Sequence, residues 1–347
     1  MQPAVDTNRP CPSPCPQPSQ FAASVWPSTA LLCVILIACG GGGTDAAGTV
    51  AATPAPSPAP AAGVAGVACS VVGSGSQLLA YTHMLSSVSE TLPYSYAWSC
   101  SSTARSLVGN GVPNHAVTGG RFATRISAQP IVQSMPFTPS YLGGSGTALK
   151  DPGYAINSVK FDPGTAGTCA SSATSHAGGC NDAGGTDPWR MEALPGTVSP
   201  WQFDFGTDSS NAHVQPNGQY HYHGMPVDLI PKLNTAASTS MSLVGWAKDG
   251  YPIYARYGYA VAGDAKSALR AMTGSYRVKA TPDAGRPSTA FFAMGHFQQD
   301  WEYASGSGDL DECNGRTGVT PEYPGGIYHY YVTDSYPFIQ RCVKGQL

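Results

Sequence analysis

Three histidines lie close together near the middle of the chain, at positions 213, 221 and 223. The last two belong to a Tyr-His-Tyr-His segment, residues 220–223, in which β-favouring tyrosines alternate with histidines. Alternate residues of a strand face the same side, so His221 and His223 would point towards one place. Neutral imidazole is a ligand for zinc, copper, nickel and iron. The spacing therefore predicts a metal site built on a strand.

Two further histidines are candidates for the same site. His115 ends a Val-Pro-Asn-His segment, and His329 lies in a Tyr-His-Tyr-Tyr segment that imperfectly echoes residues 220–223. The echo is local and is not evidence of a domain duplication. The predicted metal ligands are His115, His213, His221, His223 and His329. The alternative is a strand whose histidines are solvated or hydrogen-bonded to the backbone.

A site of histidines without thiolates favours copper or zinc over other transition metals. The neighbouring tyrosines would shield such a site or donate hydrogen bonds to its ligands, or they would simply pack in the core. We therefore expect copper or zinc as the cofactor.

Residues 309–315 concentrate three carboxylates around Cys313. Glu312 and Asp311 are candidate catalytic residues, since either could act as general base to a metal-bound water. The alternatives are an acidic turn that caps backbone N–H groups and, with a poorer match in spacing, a calcium loop. The sequence contains no Gly-x-Ser-x-Gly elbow, no His-Glu-x-x-His and no phosphate-binding glycine loop.

The elements that position these residues follow from composition. The 347 residues include 41 glycines, 30 prolines and 18 tyrosines, and only 11% are charged, which favours strands and turns over long helices. We predict a mainly β fold, with α+β as the alternative: a loop-rich single domain of short antiparallel strands and a few short helices. Helices are expected at residues 78–87 and 264–272, and strands at 121–126, 154–161, 219–223, 243–246, 253–256, 275–279 and 327–333.

The charge pattern argues against nucleic acid as a partner. The net charge is −3 and no Lys/Arg cluster is available to neutralise a phosphate backbone. The sequence identifies no small-molecule or protein partner, and it does not decide whether the protein is an enzyme.

The N-terminal region has the features of an export signal. Residues 30–38 form an apolar core too short to span a bilayer, and residues 36–39 (Leu-Ile-Ala-Cys) are similar to a bacterial lipobox that ends at Cys39. An uncleaved anchor over residues 21–38 is the alternative. We expect a signal peptide at 1–39, a Pro/Ala/Gly-rich tether at 40–67 and a folded domain at 68–347. Lipidated Cys39 would make the protein an outer-membrane lipoprotein facing the periplasm or the cell surface.

The cysteine count agrees with export. After Cys39 the chain contains six cysteines, and their order suggests the pairs 69–100, 169–180 and 313–342, although six cysteines allow fifteen pairings. Disulfides indicate an oxidising compartment. A zinc site formed by Cys169, Cys180 and His176 is the less favoured reading, because the spacing fits no common zinc pattern.

Residues 211–224 (NAHVQPNGQYHYHG) resemble the signature of the YHYH domain family of secreted, mostly bacterial proteins. Further segments are similar to motifs of that family in the same order: residues 112–115, 155–157, 161–163, 249–254, 308–316 and 317–345. The resemblance extends from about residue 105 to the C-terminus. It implies kinship with a family that has no established activity.

Three functions compete at this point. The leading one is an exported, lipid-anchored protein that binds copper or zinc through strand histidines. The second is a metal-dependent hydrolase or a copper oxidoreductase. The third is a cell-surface interaction module without metal, in which the aromatic strands form a recognition face.

Overall fold

The computed structural model describes residues 69–182, 184–194, 205–233 and 239–347. All of these residues belong to one compact unit. The predicted signal peptide, lipobox and tether lie outside the described residues, so they stay predictions.

The fold is mainly β, as predicted. The described helices are one short α-helix, α1 (Ile230–Leu233), and one 3-10 turn (Gln298–Asp300). Within the described ranges, no helix combines the length and apolar character needed to cross a membrane.

A five-stranded sheet forms the N-terminal part of the described chain. Its strands are β1 (Val72–His83), β2 (Ser86–Cys100), β3 (Ala104–Gly109), β4 (Val117–Phe122) and β5 (Ile131–Pro136). Their order in the sheet is β4-β1-β2-β3-β5. β1 and β2 pair as a long antiparallel hairpin, while β1 and β4 run parallel.

Both predicted helices are wrong. Residues 78–87 form the end of β1, its turn and the start of β2, where alternate side chains such as Leu79 and Tyr81 are buried. This period of two, with long-range pairing to β2, overrides the local helix preference. Residues 264–272 form a turn at Asp264 and a short strand, β16 (Leu269–Ala271), that pairs with the strand over residues 252–259.

A nine-stranded sheet carries three of the predicted metal ligands, His213, His221 and His329, on its strands. In sheet order its main strands are β12 (Ala212–Val214), β13 (Tyr220–Tyr222), β8 (Lys160–Phe161), β7 (Gly153–Ala155), β14 (Met241–Ala247), β15 (Pro252–Tyr259), β20 (Ile327–Val332) and β19 (Gly315–Gly318), with β16 added beside β15. The hairpin β12–β13 lies at one end of this order and the hairpin β19–β20 at the other.

Several strand predictions differ from the structure in their bounds. The predicted strand 154–161 is two strands, β7 and β8, separated by a tight turn in which Ser158 has a positive φ of 69°. The predicted strand 121–126 overlaps β4 only at residues 121–122. Asp249 and Gly250 form a turn between β14 and β15, in which Gly250 N–H donates to the Ala247 carbonyl at 2.9 Å and Gly250 has a φ of 87°.

Three small sheets complete the described part of the fold. β9 (Thr168–Cys169) lies between β10 (Cys180–Asn181) and β11 (Trp189–Arg190), β17 (Tyr276–Val278) pairs with β18 (Trp301–Tyr303), and β21 (Cys342–Val343) pairs with β6 (Thr147–Ala148).

One hydrophobic core joins the two large sheets. Leu79, Trp98 and Leu107 of the five-stranded sheet are buried in the same cluster as Tyr222 and Trp246 of the nine-stranded sheet. The indole N–H of Trp98 donates to the carbonyl of Ile156 at 2.8 Å, so it also has a polar partner. The core thus supports the strands that carry the histidines from behind.

All three suggested disulfides are present: Cys69–Cys100, Cys169–Cys180 and Cys313–Cys342. The pairing of Cys169 with Cys180 replaces the alternative zinc site, and His176 instead lies 2.5 Å from the carboxylate of Asp182.

Candidate metal centre

The hairpin β12–β13 brings three histidines onto one face. His213 and His221 are directly paired across the two antiparallel strands, and His223 follows His221 by two residues. Cross-strand partners share a face, and so do residues i and i+2. The three ligand nitrogens lie within 4.8 Å of one another. The prediction that these three residues converge is therefore confirmed.

The tautomers of two of these histidines are fixed by the backbone. Nδ1 of His221 lies 3.1 Å from the carbonyl oxygen of Gln219, and Nδ1 of His223 lies 2.7 Å from that of Asp162. A carbonyl oxygen only accepts, so each Nδ1 carries the proton and donates. In the neutral imidazole, Nε2 of both residues then has a lone pair and no proton.

Those two lone pairs face each other. Nε2 of His221 lies 3.0 Å from Nε2 of His223, and the ring centroids are 4.6 Å apart. Neither nitrogen can donate to the other while both Nδ1 atoms are protonated. The contact is unfavourable unless a cation, either a metal ion or an extra proton, lies between the two nitrogens.

An extra proton is disfavoured by the surroundings. Burial lowers the pKa of His221 well below its ordinary value, and the neighbouring His223 and Lys160 lower it further. Burial also lowers the pKa of His223, although the carboxylate of Asp162 opposes this. At neutral pH both side chains are therefore uncharged and able to bind a metal ion.

His213 occupies the outer side of the cluster. It is only partly buried, whereas His221 and His223 are 3% and 6% exposed. Its ring meets Phe122 edge-on at a centroid distance of 5.7 Å. His213 is therefore the most exposed of the three histidines.

An ion pair sits beside the cluster. Lys160, opposite His221 on β8, is 2.9 Å from Oδ2 of Asp162, which also accepts from Nε2 of Gln215 at 3.0 Å. Because the carbonyl of Asp162 orients His223, this pair helps to hold a ligand in place. Hydrogen bonds from the second nitrogen of a metal-binding histidine to a backbone carbonyl are typical of protein metal sites.

His115 lies behind the strand. Its Nδ1 donates to the carbonyl of Ala116 at 2.9 Å, and its Nε2 accepts from the hydroxyl of Tyr222 at 2.6 Å. Tyr222 points to the face opposite His221 and His223, as expected for a strand, and it also accepts from Asn157 at 3.0 Å. The structure thus places His115 outside the cluster, in a buried hydrogen-bond network.

His329 lies in the other hairpin of the sheet. It is fully buried on β20, where its Nδ1 donates to the carbonyl of Ile327 at 2.9 Å and its Nε2 accepts from the hydroxyl of Tyr331 at 2.9 Å. Both nitrogens have good partners. The structure does not bring His329 to the three clustered histidines.

The two candidate catalytic carboxylates precede β19, beside the hairpin at the opposite end of the sheet. Oδ1 of Asp311 accepts from the N–H groups of Cys313 and Gly315, which is the capping turn given above as an alternative. Glu312 accepts from Nζ of Lys344 at 2.5 Å. Neither has a described contact with the histidine cluster, so a general-base role at that cluster has no geometric support.

Sequence reasoning missed the residues that orient the ligands. Asp162 and Lys160 had no assigned role, although residues 161–163 were among the segments similar to family motifs. Their signal was present as short motifs before the histidine segment. Without the pairing of β8 with β13, nothing connected them to His221 and His223.

Neither curated proteins nor solved structures gave a significant match to the chain. A family model described as YHYH protein matches residues 132–345, which begins in β5 rather than near residue 105 as the motifs suggested. The match covers more than half of the chain and includes all of the nine-stranded sheet. The chain therefore belongs to the YHYH protein family.

Proposed function

We propose that this protein binds a transition metal ion, copper or zinc, through His213, His221 and His223. The observation that carries the proposal is the 3.0 Å contact between Nε2 of His221 and Nε2 of His223, both of which have lone pairs. A bound cation converts this repulsion into two ligand bonds. The buried carbonyl partners then act as the outer hydrogen bonds of the site.

The spacing of the nitrogens suits a shared ion. Two ligands at metal–nitrogen distances of about 2.0 to 2.1 Å are about 2.9 Å apart at a right angle and about 3.4 Å apart at the tetrahedral angle. The 3.0 Å separation of the two Nε2 atoms falls in this range. His213 supplies a third nitrogen, because its ligand atom lies within 4.8 Å of the others.

Titration of matched variants tests the proposal. Parent protein purified without a His tag should bind Zn(II) or Cu(II) in calorimetry above pH 6.5, and His221→Ala should weaken binding by at least tenfold, about 1.4 kcal/mol. His329→Ala is the matched control, because it removes a buried strand histidine with the same Nδ1 contact to the carbonyl two residues before it. Equal metal affinity in parent, His221→Ala and His223→Ala, with all three folded by circular dichroism, would show that these histidines are structural.

The number of ligands favours catalysis as a second candidate. Three protein ligands are typical of catalytic zinc sites, where the fourth position takes water or substrate. The partial exposure of His213 gives that position access from solvent. Spectroscopy of the copper-loaded protein distinguishes the two functions: exchangeable solvent at the metal supports a hydrolase or oxidoreductase, and a closed coordination sphere supports storage or delivery.

We further propose that the protein is exported and held by lipid on Cys39, facing the periplasm or the cell surface. The support is the lipobox-like sequence at residues 36–39 and three disulfides in the folded part of the chain. Cys39→Ser should release the protein from the membrane fraction or leave it unprocessed. Unchanged processing and fractionation of this variant would contradict lipid anchoring.

A further inference from the structure

The nine-stranded sheet is built from two halves with the same plan. In each half, two consecutive strands pair in antiparallel fashion. The second strand of a later hairpin then pairs in parallel with the second of these two strands. The first half is β7, β8, β12 and β13, and the second is β14, β15, β19 and β20. In the order β12-β13-β8-β7-β14-β15-β20-β19, equivalent strands therefore follow one another in the same succession from either end of the sheet.

The pairing at the centre of the sheet is self-complementary. β7 and β14 are antiparallel, and Tyr154 lies opposite Trp246, its own counterpart. Gly153 pairs with Ala247, which is the counterpart of Ala155, and Ala155 pairs with Gly245, which is the counterpart of Gly153. This is the pattern of a two-fold axis between two equivalent strands.

The turns that follow these strands also match. Ala155 N–H donates to the Val159 carbonyl at 2.8 Å, and Ala247 N–H donates to that of Tyr251 at 2.9 Å. Asn157 in the first turn hydrogen-bonds the hydroxyl of Tyr222 at 3.0 Å. Asp249 in the second accepts from Tyr330 at 2.6 Å. Each turn thus fixes the tyrosine that directly follows His221 or His329.

The loops before the two hairpins match atom by atom. Asp208 accepts from the N–H groups of residues 210 and 212 at 2.9 and 3.0 Å, and from the hydroxyl of Tyr220 at 2.5 Å. Asp311 accepts from the N–H groups of residues 313 and 315 at 2.9 and 3.0 Å, and from Tyr328 at 2.9 Å. Three residues after each aspartate, an asparagine has a positive φ, 54° at Asn211 and 59° at Asn314.

The two hairpins differ where the first one would bind metal. His221 corresponds to His329, but the residue opposite is His213 in the first hairpin and Arg316 in the second. The residue two positions later is a histidine in the first and Tyr331 in the second. Nη2 of Arg316 donates to the hydroxyl of Tyr331 at 3.3 Å, and that hydroxyl donates to Nε2 of His329 at 2.9 Å.

We propose that the hairpin β19–β20 is a second copy of the histidine site in which the guanidinium of Arg316 supplies, from within the chain, the cation that the first hairpin takes from solution. The proposal rests on the metal-binding function proposed above. Arg316 is also held by the carbonyl of Tyr259 at 2.7 Å, so its positive charge stays over this hairpin. Replacing Arg316 and Tyr331 by the histidines of the first hairpin should restore a ligand set.

The test is a gain of metal. The double variant Arg316→His/Tyr331→His should bind one more equivalent of Zn(II) or Cu(II) than the parent, and adding His329→Ala should remove that extra equivalent. Metal in the parent tests the proposed function, whereas the difference between variant and parent tests this inference, so the two can fail separately. A folded double variant with no extra metal would overturn the second-copy proposal.

The reverse exchange keeps the proposal testable if the double variant does not fold. His213→Arg/His223→Tyr should remove metal binding from the first hairpin and leave a protein that folds without metal. Its thermal midpoint should equal or exceed that of the metal-free parent. The introduced tyrosine hydroxyl would donate to Nε2 of His221, and the introduced guanidinium would donate to that hydroxyl, as in the second hairpin. If this variant is unfolded, or less stable than the metal-free parent, the equivalence of the two hairpins is wrong.

Discussion

His221 and His329 occupy the same position in two equivalent hairpins, yet their surroundings give them different chemistry. Each donates from Nδ1 to the carbonyl two residues earlier, at 3.1 and 2.9 Å. Nε2 of His329 meets a hydroxyl that can donate, whereas Nε2 of His221 meets a second lone pair on His223. Burial and strand position alone therefore do not make a histidine a metal ligand. The group that faces its second ring nitrogen decides whether it can bind a metal ion.

The second hairpin also has a covalent support that the first lacks. Cys313 lies in the loop before β19 and is bonded to Cys342, whereas the corresponding residue of the first loop is Ser210, whose hydroxyl donates to Asp228 at 2.9 Å. A disulfide and an internal cation thus stabilise one hairpin. We infer that the other depends on a bound ion for comparable rigidity.

Removing the disulfide should have the largest effect. Cys313→Ser/Cys342→Ser should lower the free energy of unfolding by roughly 3 kcal/mol, since the bridge spans 29 residues and constrains the unfolded chain. Denaturant unfolding measures the loss. Metal affinity should not change, because the bridge lies in the second hairpin; a variant that folds but no longer binds metal would show that the two hairpins are not independent.

Metal removal should act on the opposite hairpin. At free metal about 100 times above Kd, saturation should stabilise the fold by about 2.7 kcal/mol relative to the metal-free protein. Hydrogen exchange should show the lost protection in β12 and β13 after chelation, with β19 and β20 unchanged. Equal loss in both hairpins would contradict the internal cation assigned to Arg316.

Acid should destabilise the protein through His329. Burial lowers the pKa of His329 to about 3, so the folded state favours the neutral form of this side chain. The stability due to this shift is present above the unfolded pKa of about 6.5 and is lost as the pH falls from there towards 3. Between pH 7 and pH 5 the loss should be about 2 kcal/mol.

The control for this prediction is His329→Gln, which cannot titrate. Urea unfolding at pH 7 and pH 5, on metal-free protein, should show a smaller pH dependence in the variant by about 2 kcal/mol. An identical pH dependence in parent and variant would contradict a neutral, buried His329.

The smallest effect concerns the tyrosine behind the metal ligands. Tyr222→Phe removes a hydroxyl that His115 and Asn157 share, so it should cost about 1 kcal/mol of stability. Metal affinity should change by less than about threefold, because Tyr222 faces away from His221 and His223. A large loss of affinity in calorimetry, with the fold intact, would place Tyr222 or His115 at the metal.

The sequence predicted those features of the molecule that depend on local geometry. Period-two spacing was enough to put His221 and His223 on one face, and the order of the cysteines gave all three bridges. It failed at residues 78–87, where pairing with β2 overrides helix preference. It also included His115 and His329 as ligands, because only the fold shows which partner each Nε2 finds.

The equivalence of the two halves of the sheet was not evident from the sequence, because their loops differ in length and their corresponding residues are substituted. Asp208-x-x-Asn-x-His and Asp311-x-x-Asn-x-Arg share a spacing that the sequence displays, but the tyrosine follows twelve residues after the first aspartate and seventeen after the second, counted from positions 208 to 220 and 311 to 328. The other matching elements are as little as two residues long. Their equivalence is visible only in the sheet order.

The most direct test of the central claim is the metal content of the full chain, purified without a His tag and without added chelator. Elemental analysis should find about one copper or zinc ion per folded chain, lost in the folded double variant His221→Ala/His223→Ala and kept in His329→Ala. A folded parent that contains no metal, and that takes up neither Zn(II) nor Cu(II) on dialysis against either ion, would contradict the assignment of His213, His221 and His223 as a metal site.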